Sequence, residues 1–307
     1  MSKKPLIAIV GRPNVGKSTL FNKIAGARIS IVENTPGVTR DRVYAETEWN
    51  GRHFAVVDTG GLELKSRDEM WMHIKEQAQI AIDNADAIVL VVDGKTGITQ
   101  DDAEVAKYLR AAKAPVILAV NKLDGFDQSA LYDFFSLGFG EPIGISAEQG
   151  LGLGDLLDKM VEDIDRNEGE EDGENIKVAI VGKPNAGKSS IVNRLLGYRR
   201  VIVSDVAGTT RDAIDTEIEV DGQKYTLIDT AGIRKKRGVT DDVEYFSVLR
   251  AFMAVRRADV CAIVLDASAG ITEQDSKIAG FVHDEGKASM FLVNKWDLIE
   301  KDNTTVQ

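Results

Sequence analysis

The sequence predicts an α/β fold that occurs twice, in two tandem domains that each have a mostly parallel sheet with one antiparallel strand and helices on both faces. Three observations predict it. The chain has 307 residues, enough for about two domains that each bury a core. A set of short motifs recurs along the chain at a nearly constant offset. Within each copy, short apolar runs alternate with longer helical patterns.

Continuous apolar runs in the first copy predict strands that are buried on both faces of a parallel sheet. These runs are Leu6 to Val10, Phe54 to Asp58, Ala87 to Val92, Val116 to Asn121 and Ile143 to Ser146. The turn Asn50-Gly51, between Val43 to Trp49 and Arg52 to Asp58, predicts a hairpin and hence the antiparallel strand. Helices are predicted over Lys17 to Ala25, Asp68 to Asn84 and Asp101 to Ala112.

The two copies align on their motifs. The sequence GRPNVGKS at 11–18 recurs at 182–189 as GKPNAGKS, an offset of 171 residues. The offset has become 173 by Asn121-Lys-Leu-Asp124, which recurs as Asn294-Lys-Trp-Asp297. Residues 165–175 between the copies are acidic, contain glycine and have no apolar period, which is typical of a solvated linker. The predicted domains are therefore residues 1–164 and 176–307.

Composition and charge argue against several classes of protein. The net charge of -11 argues against a surface that binds nucleic acid by bulk electrostatics alone. The longest apolar runs, of about six residues, are too short to span a membrane. The single cysteine, Cys261, can form no intrachain disulfide, which suits a reducing compartment. We therefore expect a cytoplasmic protein that binds no membrane.

The pattern Gly-x-x-x-x-Gly-Lys-Ser is typical of a loop that binds nucleotide phosphates. Its glycines let backbone N–H groups point at phosphate oxygens, its lysine reaches the terminal phosphates, and its serine hydroxyl holds Mg²⁺. Both matches follow a predicted strand and precede a helix, which is the context that the motif requires. The predicted phosphate-binding residues are Gly11, Asn14, Gly16, Lys17, Ser18 and Thr19 in the first copy and Gly182, Asn185, Gly187, Lys188, Ser189 and Ser190 in the second.

Further residues are predicted to complete each phosphate site. Asp58 and Asp229 end apolar strands, so that their carboxylates can hold the metal by way of water. Gly61 and Gly232 follow them and can offer a backbone N–H to the terminal phosphate. Hydroxyls in polar loops can close over Mg²⁺ while a triphosphate is bound. The predicted catalytic residues are Lys17, Thr39, Lys188 and Thr210, and the predicted Mg²⁺ ligands are Ser18, Thr39, Asp58, Ser189, Thr210 and Asp229.

The repeated Asn-Lys-x-Asp motif predicts that the base is guanine. An ionised aspartate only accepts hydrogen bonds, so Asp124 and Asp297 suit a base with two adjacent donors, which guanine has and adenine lacks. The stem of the lysine can cover the base and the asparagine can tie the loop to the phosphate loop. The residues predicted to do so are Lys122, Lys295, Asn121 and Asn294. In the first copy, Ser146 and Ala147 begin a segment that is predicted to offer a backbone N–H to the guanine oxygen.

These motifs, found twice in the same order, make the chain resemble the translation-factor-class P-loop GTPases, and within them the Der (EngA) family of bacterial double-domain GTPases. The resemblance covers the whole chain. It implies binding of GTP and GDP, hydrolysis of GTP to GDP and phosphate, and a role in assembly of the large ribosomal subunit. The implied partner is that subunit or its precursor, with its rRNA, and we expect a monomer.

The resemblance also implies that the chain is a fragment. Members of the family carry a KH-like domain after the two GTPase domains. At the offset of 173, the counterparts of Ser146 and Ala147 would fall beyond Gln307. We therefore expect the second GTPase domain to be incomplete at its C-terminal end.

One departure from many signalling GTPases concerns catalysis. Leu62 and Ile233 stand where those enzymes have a glutamine that orients the attacking water. Several GTPases similar to this one use an asparagine of the phosphate loop to hold K⁺ against the phosphates, and Asn14 and Asn185 occupy that place here. K⁺ is therefore expected beside Mg²⁺ as a cofactor.

Two alternative functions remain open from the sequence. A phosphotransferase could use the same phosphate loop, although no separate acceptor region lies between the motifs. A nucleotide-regulated adaptor could use one domain that binds nucleotide without hydrolysing it.

Overall fold

The computed structural model describes residues 4–26, 44–59, 67–125, 128–166, 175–198, 201–203, 215–229 and 250–300. The described residues up to 166 form one compact unit, and those from 175 onward form a second. Within this part of the chain each unit contains a six-stranded sheet, which confirms the predicted fold class. No helix among the described residues is both long enough and apolar enough to cross a membrane.

The first unit contains six strands and four α-helices within its described residues. The strands are β1 (Leu6–Val10), β2 (Tyr44–Trp49), β3 (Arg52–Asp58), β4 (Ala87–Asp93), β5 (Val116–Asn121) and β6 (Ile143–Gly144). The helices are α1 (Lys17–Gly26), α2 (Arg67–Asn84), α3 (Gln100–Leu109) and α4 (Leu153–Arg166), with a 3₁₀ segment over Gln128–Leu137. In the order β2-β3-β1-β4-β5-β6, β2 is antiparallel to β3 and the other neighbours are parallel.

The core of the first unit lies on either side of β1. On one face, Ile7 and Ile9 pack with Leu20 and Ile24 of α1 and with Met160 of α4. On the other face α2 lies against β1, and α3 lies beside α2. Full burial of one such aliphatic side chain contributes roughly 1.5–3 kcal/mol to folding. This packing holds the carboxyl ends of β1, β3, β4 and β5 at one edge, where the candidate site forms.

The second unit repeats this arrangement. Its strands are β7 (Ile176–Val181), β8 (Val201–Val203), β9 (Thr216–Val220), β10 (Gln223–Ile228), β11 (Val260–Asp266) and β12 (Ala288–Asn294). Its described helices are α5 (Lys188–Leu196), α6 (residues 250–257) and α7 (Glu273–Asp284), followed by a 3₁₀ turn over Trp296–Leu298. The order is β8-β9-β10-β7-β11-β12, and β9 runs against the other strands.

Some element boundaries differ from the prediction. Strand β6 ends at Gly144 and not at Ser146, because Ser146 turns back to bridge Leu151 and its carbonyl accepts from the Gly150 N–H at 2.7 Å. Helix α3 ends at Leu109, three residues before the predicted Ala112. Helix α4 continues to Arg166, two residues into the predicted linker, and residues 167–174 lie outside the described part of the chain.

Candidate nucleotide-binding sites

The first phosphate loop connects the buried end of β1 to the first turn of α1. A Cβ at Gly11 would lie 2.3 Å from the carbonyl oxygen of Val91, and one at Gly16 would lie 2.3 Å from Nδ2 of Asn121. Gly16 also has a φ of 95°, in the region that favours glycine. The loop can therefore turn tightly against β4 and β5, so that the first N–H groups of α1 are available to an anion.

Lys17 is held at the centre of this loop. Its Nζ donates to the carbonyls of Gly11 at 2.7 Å and Arg12 at 2.8 Å, and only 5% of the residue is exposed. Burial lowers the pKa of Lys17 to about 8, and the nearby negative charge of Asp58 offsets part of that effect. The loop thus fixes an ammonium group whose charge an anion would stabilise.

The first copy brings two of the predicted Mg²⁺ ligands together. Ser18 Oγ donates to Asp58 Oδ2 at 2.7 Å, and Asp58 is buried at the end of β3. The parallel register places Asp58 opposite Ile9 of β1, just before the phosphate loop. A hydroxyl and a carboxylate provide the hard oxygen donors that Mg²⁺ prefers, so these residues fit the metal.

The base-recognition loop is tied to the phosphate loop by two side chains. Asn121, at the end of β5, donates from Nδ2 to the carbonyl of Val15 at 2.8 Å. Lys122 donates from Nζ to the carbonyl of Asn14 at 2.6 Å and to Asp93 Oδ2 at 2.7 Å. Direct hydrogen bonds from Asn121 and Lys122 thus join the base-recognition loop to the phosphate loop.

Asp124 is the exposed carboxylate of the base-recognition loop. Its Oδ2 accepts from Lys95 Nζ at 2.5 Å and its Oδ1 accepts from Ser146 Oγ at 3.2 Å. The hydrogen bond from Lys95 is the main cause that lowers the pKa of Asp124, so the carboxylate is ionised at neutral pH. The Ala147 N–H, predicted to belong to the segment that meets the base, donates to Asn121 Oδ1 at 2.9 Å in this structure.

The second copy repeats the same links. Lys188 Nζ donates to the carbonyls of Gly182 at 2.6 Å and Lys183 at 2.7 Å, and burial lowers the pKa of Lys188 to about 8. Asn294 Nδ2 donates to the carbonyl of Ala186 at 2.8 Å. A Cβ at Gly187 would lie 2.0 Å from Asn294 Nδ2, so this loop also requires glycine. Two similar sites are therefore built from one chain.

The strand-end aspartate of the second copy, Asp229, is the counterpart of Asp58 and contacts two charged side chains. Asp229 lies one residue beyond β10 with a φ of 54°, and its N–H donates to Asp215 Oδ1 at 2.8 Å. Arg250 Nη1, from α6, donates to Asp229 Oδ1 at 3.4 Å. A cation from the protein therefore lies beside the carboxylate that was predicted to face Mg²⁺.

The structure places the remaining predicted residues as follows. Thr19 and Ser190 are exposed in the first turns of α1 and α5, Asp297 is exposed in the 3₁₀ turn, and Asn14 and Asn185 are exposed with φ values of 65° and 61°. Thr39, Gly61, Thr210 and Gly232 lie outside the described residues, as do Leu62 and Ile233.

Sequence reasoning gave no role to two aspartates that organise the base-recognition loops. Asp93 ends β4 and accepts from Lys122, while Asp266 ends β11 and accepts from Lys295 Nζ at 2.5 Å. The hydrogen bonds from Lys295 and then Ser268 lower the pKa of Asp266 to about 2. Asp93 and Asp266 are 173 positions apart, and this recurrence was the signal that the sequence offered. An aspartate at the end of a strand does not by itself indicate a specific role.

Comparison with known proteins agrees with this geometry. A family model described as 50S ribosome-binding GTPase matches residues 6–122 and 177–295. GTPase Der of Clostridium kluyveri is 58% identical over 306 residues, which is 99% of this chain and 70% of that protein. The chain belongs to the GTPase Der family. It binds and hydrolyses GTP, and its two P-loop GTPase domains are arranged in tandem, as predicted.

A second Der sequence and a solved Era structure differ in how similar they are to this chain. GTPase Der of Clostridium perfringens (strain SM101) is 58% identical over 305 residues, again 99% of this chain and 70% of that protein. Among solved structures, an Era variant from Aquifex aeolicus bound to GDP and AlF4⁻ is 23% identical with a TM-score of 0.43. That match covers 66% of this chain and 73% of the Era chain. The family assignment therefore rests on the Der sequences and the family model.

Binding of a nucleotide should take up protons near pH 8. Since the pKa values of Lys17 and Lys188 are lowered from 10.5 to about 8, each ammonium is partly deprotonated there. Phosphate oxygens favour the charged form, so binding raises both pKa values, and GDP affinity should fall as pH rises from about 7 to about 9. Calorimetry of GDP binding in buffers with different ionisation enthalpies measures the uptake.

The control is the double variant Lys17→Met, Lys188→Met, in which residual binding should be independent of buffer ionisation. In the nucleotide-free chain, the stability of the fold should change with pH in the opposite direction to the affinity for GDP. Between about pH 8 and 10.5 the unfolded lysines bind more protons than the folded ones, so the free energy of unfolding should rise with pH. Proton release on GDP binding at pH 8 would contradict this account of the lysines.

Proposed function

We propose that this Der-family chain is a GTP-hydrolysing switch that acts in assembly of the large ribosomal subunit. The observation that carries the proposal is the hydrogen bond between base loop and phosphate loop, from Asn121 to Val15 and from Asn294 to Ala186. Because this bond recurs, each copy can read the base and the phosphates of one nucleotide together. The family description as a 50S ribosome-binding GTPase supports the ribosomal role.

In this proposal the described residues divide into phosphate, metal and base groups. Lys17 and Lys188 bind the phosphates within a cradle of backbone N–H groups. Mg²⁺, when bound, would neutralise phosphate charge, and the chain would hold it through Ser18 and Asp58 in the first copy and Ser189 and Asp229 in the second. Asp124 and Asp297 accept from guanine, and Ser146 orients Asp124. Thr39, Gly61, Thr210 and Gly232 would complete the phosphate sites.

The proposed partner is the large subunit or its precursor, with rRNA at the contact, and the proposed form is a cytoplasmic monomer. The net charge of -11 makes uniform attraction to RNA unfavourable, so the contact has to be local. A local contact that changes with the nucleotide is what a switch requires.

Cosedimentation with purified large subunits tests the ribosomal role. The chain is incubated with either GDP or a non-hydrolysable GTP analogue and is centrifuged through a sucrose gradient, with small subunits as the control. We expect the chain to comigrate with large subunits in one nucleotide state and to stay at the top of the gradient in the other. Equal comigration in both states, or comigration with small subunits to the same extent, would contradict the proposal.

We also propose that K⁺ stimulates turnover through Asn14 and Asn185. Both amides are exposed on left-handed turns of the phosphate loops, and a monovalent cation there would neutralise charge between the β- and γ-phosphates. Turnover should be about tenfold higher in KCl than in NaCl at matched ionic strength. Asn14→Ala should remove the contribution of the first copy to that ratio. Equal rates in the two salts would contradict the cation mechanism.

A nucleotide-regulated adaptor, in which the second copy binds without hydrolysing, is the second candidate. It is favoured by the contact of Arg250 with Asp229, because a protein cation beside this carboxylate competes with Mg²⁺ for it. Single-turnover hydrolysis by the Lys17→Ala variant, whose first copy lacks its phosphate lysine, measures the second copy alone. Hydrolysis by that variant at a rate near that of the unaltered chain would exclude the adaptor.

A further inference from the structure

A buried carboxylate lies beside the second residue of each phosphate loop. Asp102 is 1% exposed, and its Oδ1 lies 3.2 Å from Arg12 Nε. In the second copy, Asp275 is 2% exposed, and its Oδ2 lies 3.3 Å from Lys183 Nζ. The same ion pair is thus present twice, with arginine in one copy and lysine in the other.

The fold of the next helix places each carboxylate there. Thr99 is the N-cap of α3, and its backbone N–H and Oγ1 donate to Asp102 Oδ2 at 3.0 and 2.7 Å. Thr272 caps α7 in the same way, donating to Asp275 Oδ2 at 2.9 and 2.7 Å. This reciprocal cap is complete with the threonine alone. The cation from the phosphate loop is therefore an addition that capping does not explain.

The residue that carries this cation also helps to hold the phosphate lysine. The carbonyl of Arg12 accepts from Lys17 Nζ at 2.8 Å, and the carbonyl of Lys183 accepts from Lys188 Nζ at 2.7 Å. A side chain fixed by the helix cap therefore fixes the backbone oxygen that orients the ammonium group. In each copy, therefore, contacts connect the capping carboxylate of the helix to the second residue of the phosphate loop, and that residue to the phosphate lysine.

The energetics favour a geometric role for this pair. A carboxylate that is buried without partners is costly. A buried ion pair adds little net stability compared with apolar side chains packed in its place, but removing one partner of the pair is strongly destabilising. Burial tends to raise the pKa of Asp275, but hydrogen bonds from Thr272 and Lys183 hold that pKa below its usual range. Because lysine replaces arginine in the second copy, a positive charge at this position is sufficient and a guanidinium fork is not needed.

We propose that Asp102 and Asp275 are positioning residues for GTP hydrolysis: each holds the second residue of its phosphate loop, and through that residue's carbonyl it orients Lys17 or Lys188 toward the phosphates. The inference rests on the proposed phosphate-binding role of the two lysines and is independent of the ribosomal role. A misplacement of about 1 Å in such a group can cost up to about a hundredfold in rate.

The test compares four variants of the first copy in the full chain. Arg12→Gln removes the ion pair and leaves the helix cap intact. Asp102→Asn removes the charge and keeps an oxygen acceptor for Thr99. Thr99→Ala is the matched control, because it weakens the cap of α3 while retaining the cation and the carboxylate. Arg12→Lys recreates the pair of the second copy.

Four quantities are measured for each variant: the dissociation rates of fluorescent GDP, the kcat for GTP, the KM for GTP and the melting temperature. Arg12→Gln and Asp102→Asn should accelerate one of the two dissociation phases about tenfold and lower the kcat of the first copy about tenfold, since the lysine contacts phosphate charge that develops in the transition state. Thr99→Ala should lower the melting temperature with less than about a twofold change in dissociation. Arg12→Lys should keep the kcat and the GDP dissociation rates close to those of the unaltered chain.

Lys183→Gln should accelerate the other phase, which assigns each phase to its copy. Unchanged dissociation and kcat in Arg12→Gln would overturn the proposal. So would an equal loss of kcat in Thr99→Ala and Asp102→Asn, because the pair would then act only through stability of the helix. Ribosomes are absent from the assay, so failure of the ribosomal role leaves this result unaffected.

Discussion

The Asp124→Asn variant is expected to convert the first copy from a guanine site to a xanthine site. In the proposed site the ionised carboxylate of Asp124 would accept from the ring N–H and the exocyclic amine of guanine, whereas the asparagine amide would offer a donor where xanthine has an oxygen. A site built for particular donors rejects the mismatched base strongly, so affinity of the first copy for GDP should fall about a hundredfold or more. Titration with fluorescent GDP and XDP measures both affinities.

Two variants provide controls for this change. Asp297→Asn should produce the same switch in the second copy and leave the first copy selective for GDP. Ser146→Ala removes the 3.2 Å hydrogen bond that orients Asp124 and a longer one, of 3.4 Å, that Ser146 Oγ accepts from the Gln149 N–H. It keeps the Asp124 carboxylate, so it should lower GDP affinity by less than about tenfold without creating XDP binding. GDP binding by the first copy that is unchanged in Asp124→Asn would remove Asp124 from the base site.

The Asn121→Ala variant should destabilise the first unit by about 3 kcal/mol or more. Asn121 is 3% exposed, and its side chain makes three hydrogen bonds, donating to the carbonyl of Val15 and accepting from the N–H groups of Lys122 and Ala147. Its removal leaves buried backbone groups without partners, each costing roughly 1–3 kcal/mol. Urea unfolding, followed with a probe in the first unit, measures the loss.

Asn294→Ala is the matched control in the second unit. Asn294 is half-buried and donates to the carbonyl of Ala186, so a smaller loss of stability is expected there. Asn121→Ala should also lower GDP affinity, because the base loop and the phosphate loop are no longer joined. A change below about 1 kcal/mol in Asn121→Ala would contradict the bridging role.

The phosphate loops and base loops could be predicted because their chemistry fixes residue types at short spacings. Gly16 and Gly187 are required where Asn121 and Asn294 approach the backbone, and that requirement appears directly in the motif. The continuous apolar runs likewise predicted strands that are buried on both faces of the sheet, and β1 and β4 are buried along their whole length.

The contacts that could not be predicted join residues far apart in the chain. Arg12 and Asp102 are 90 positions apart, and no local pattern records which buried carboxylate a loop cation will meet. The contact of Arg250 with Asp229 joins a helix to a residue 21 positions earlier in the chain, just after the end of β10. The short strand β6 depends on the turn between Ser146 and Leu151, where local hydrogen bonds replace the sheet.

The most direct test of the account is the stoichiometry of GDP binding to the nucleotide-free chain, measured by isothermal titration with ADP as the competitor. Because each unit joins its own phosphate loop to its own base loop, the account predicts two GDP molecules per chain, with neither displaced by ADP. Lys17→Met and Lys188→Met should each weaken GDP binding at a different one of the two sites. Binding of a single GDP per chain, or displacement of GDP by ADP at similar concentration, would contradict it.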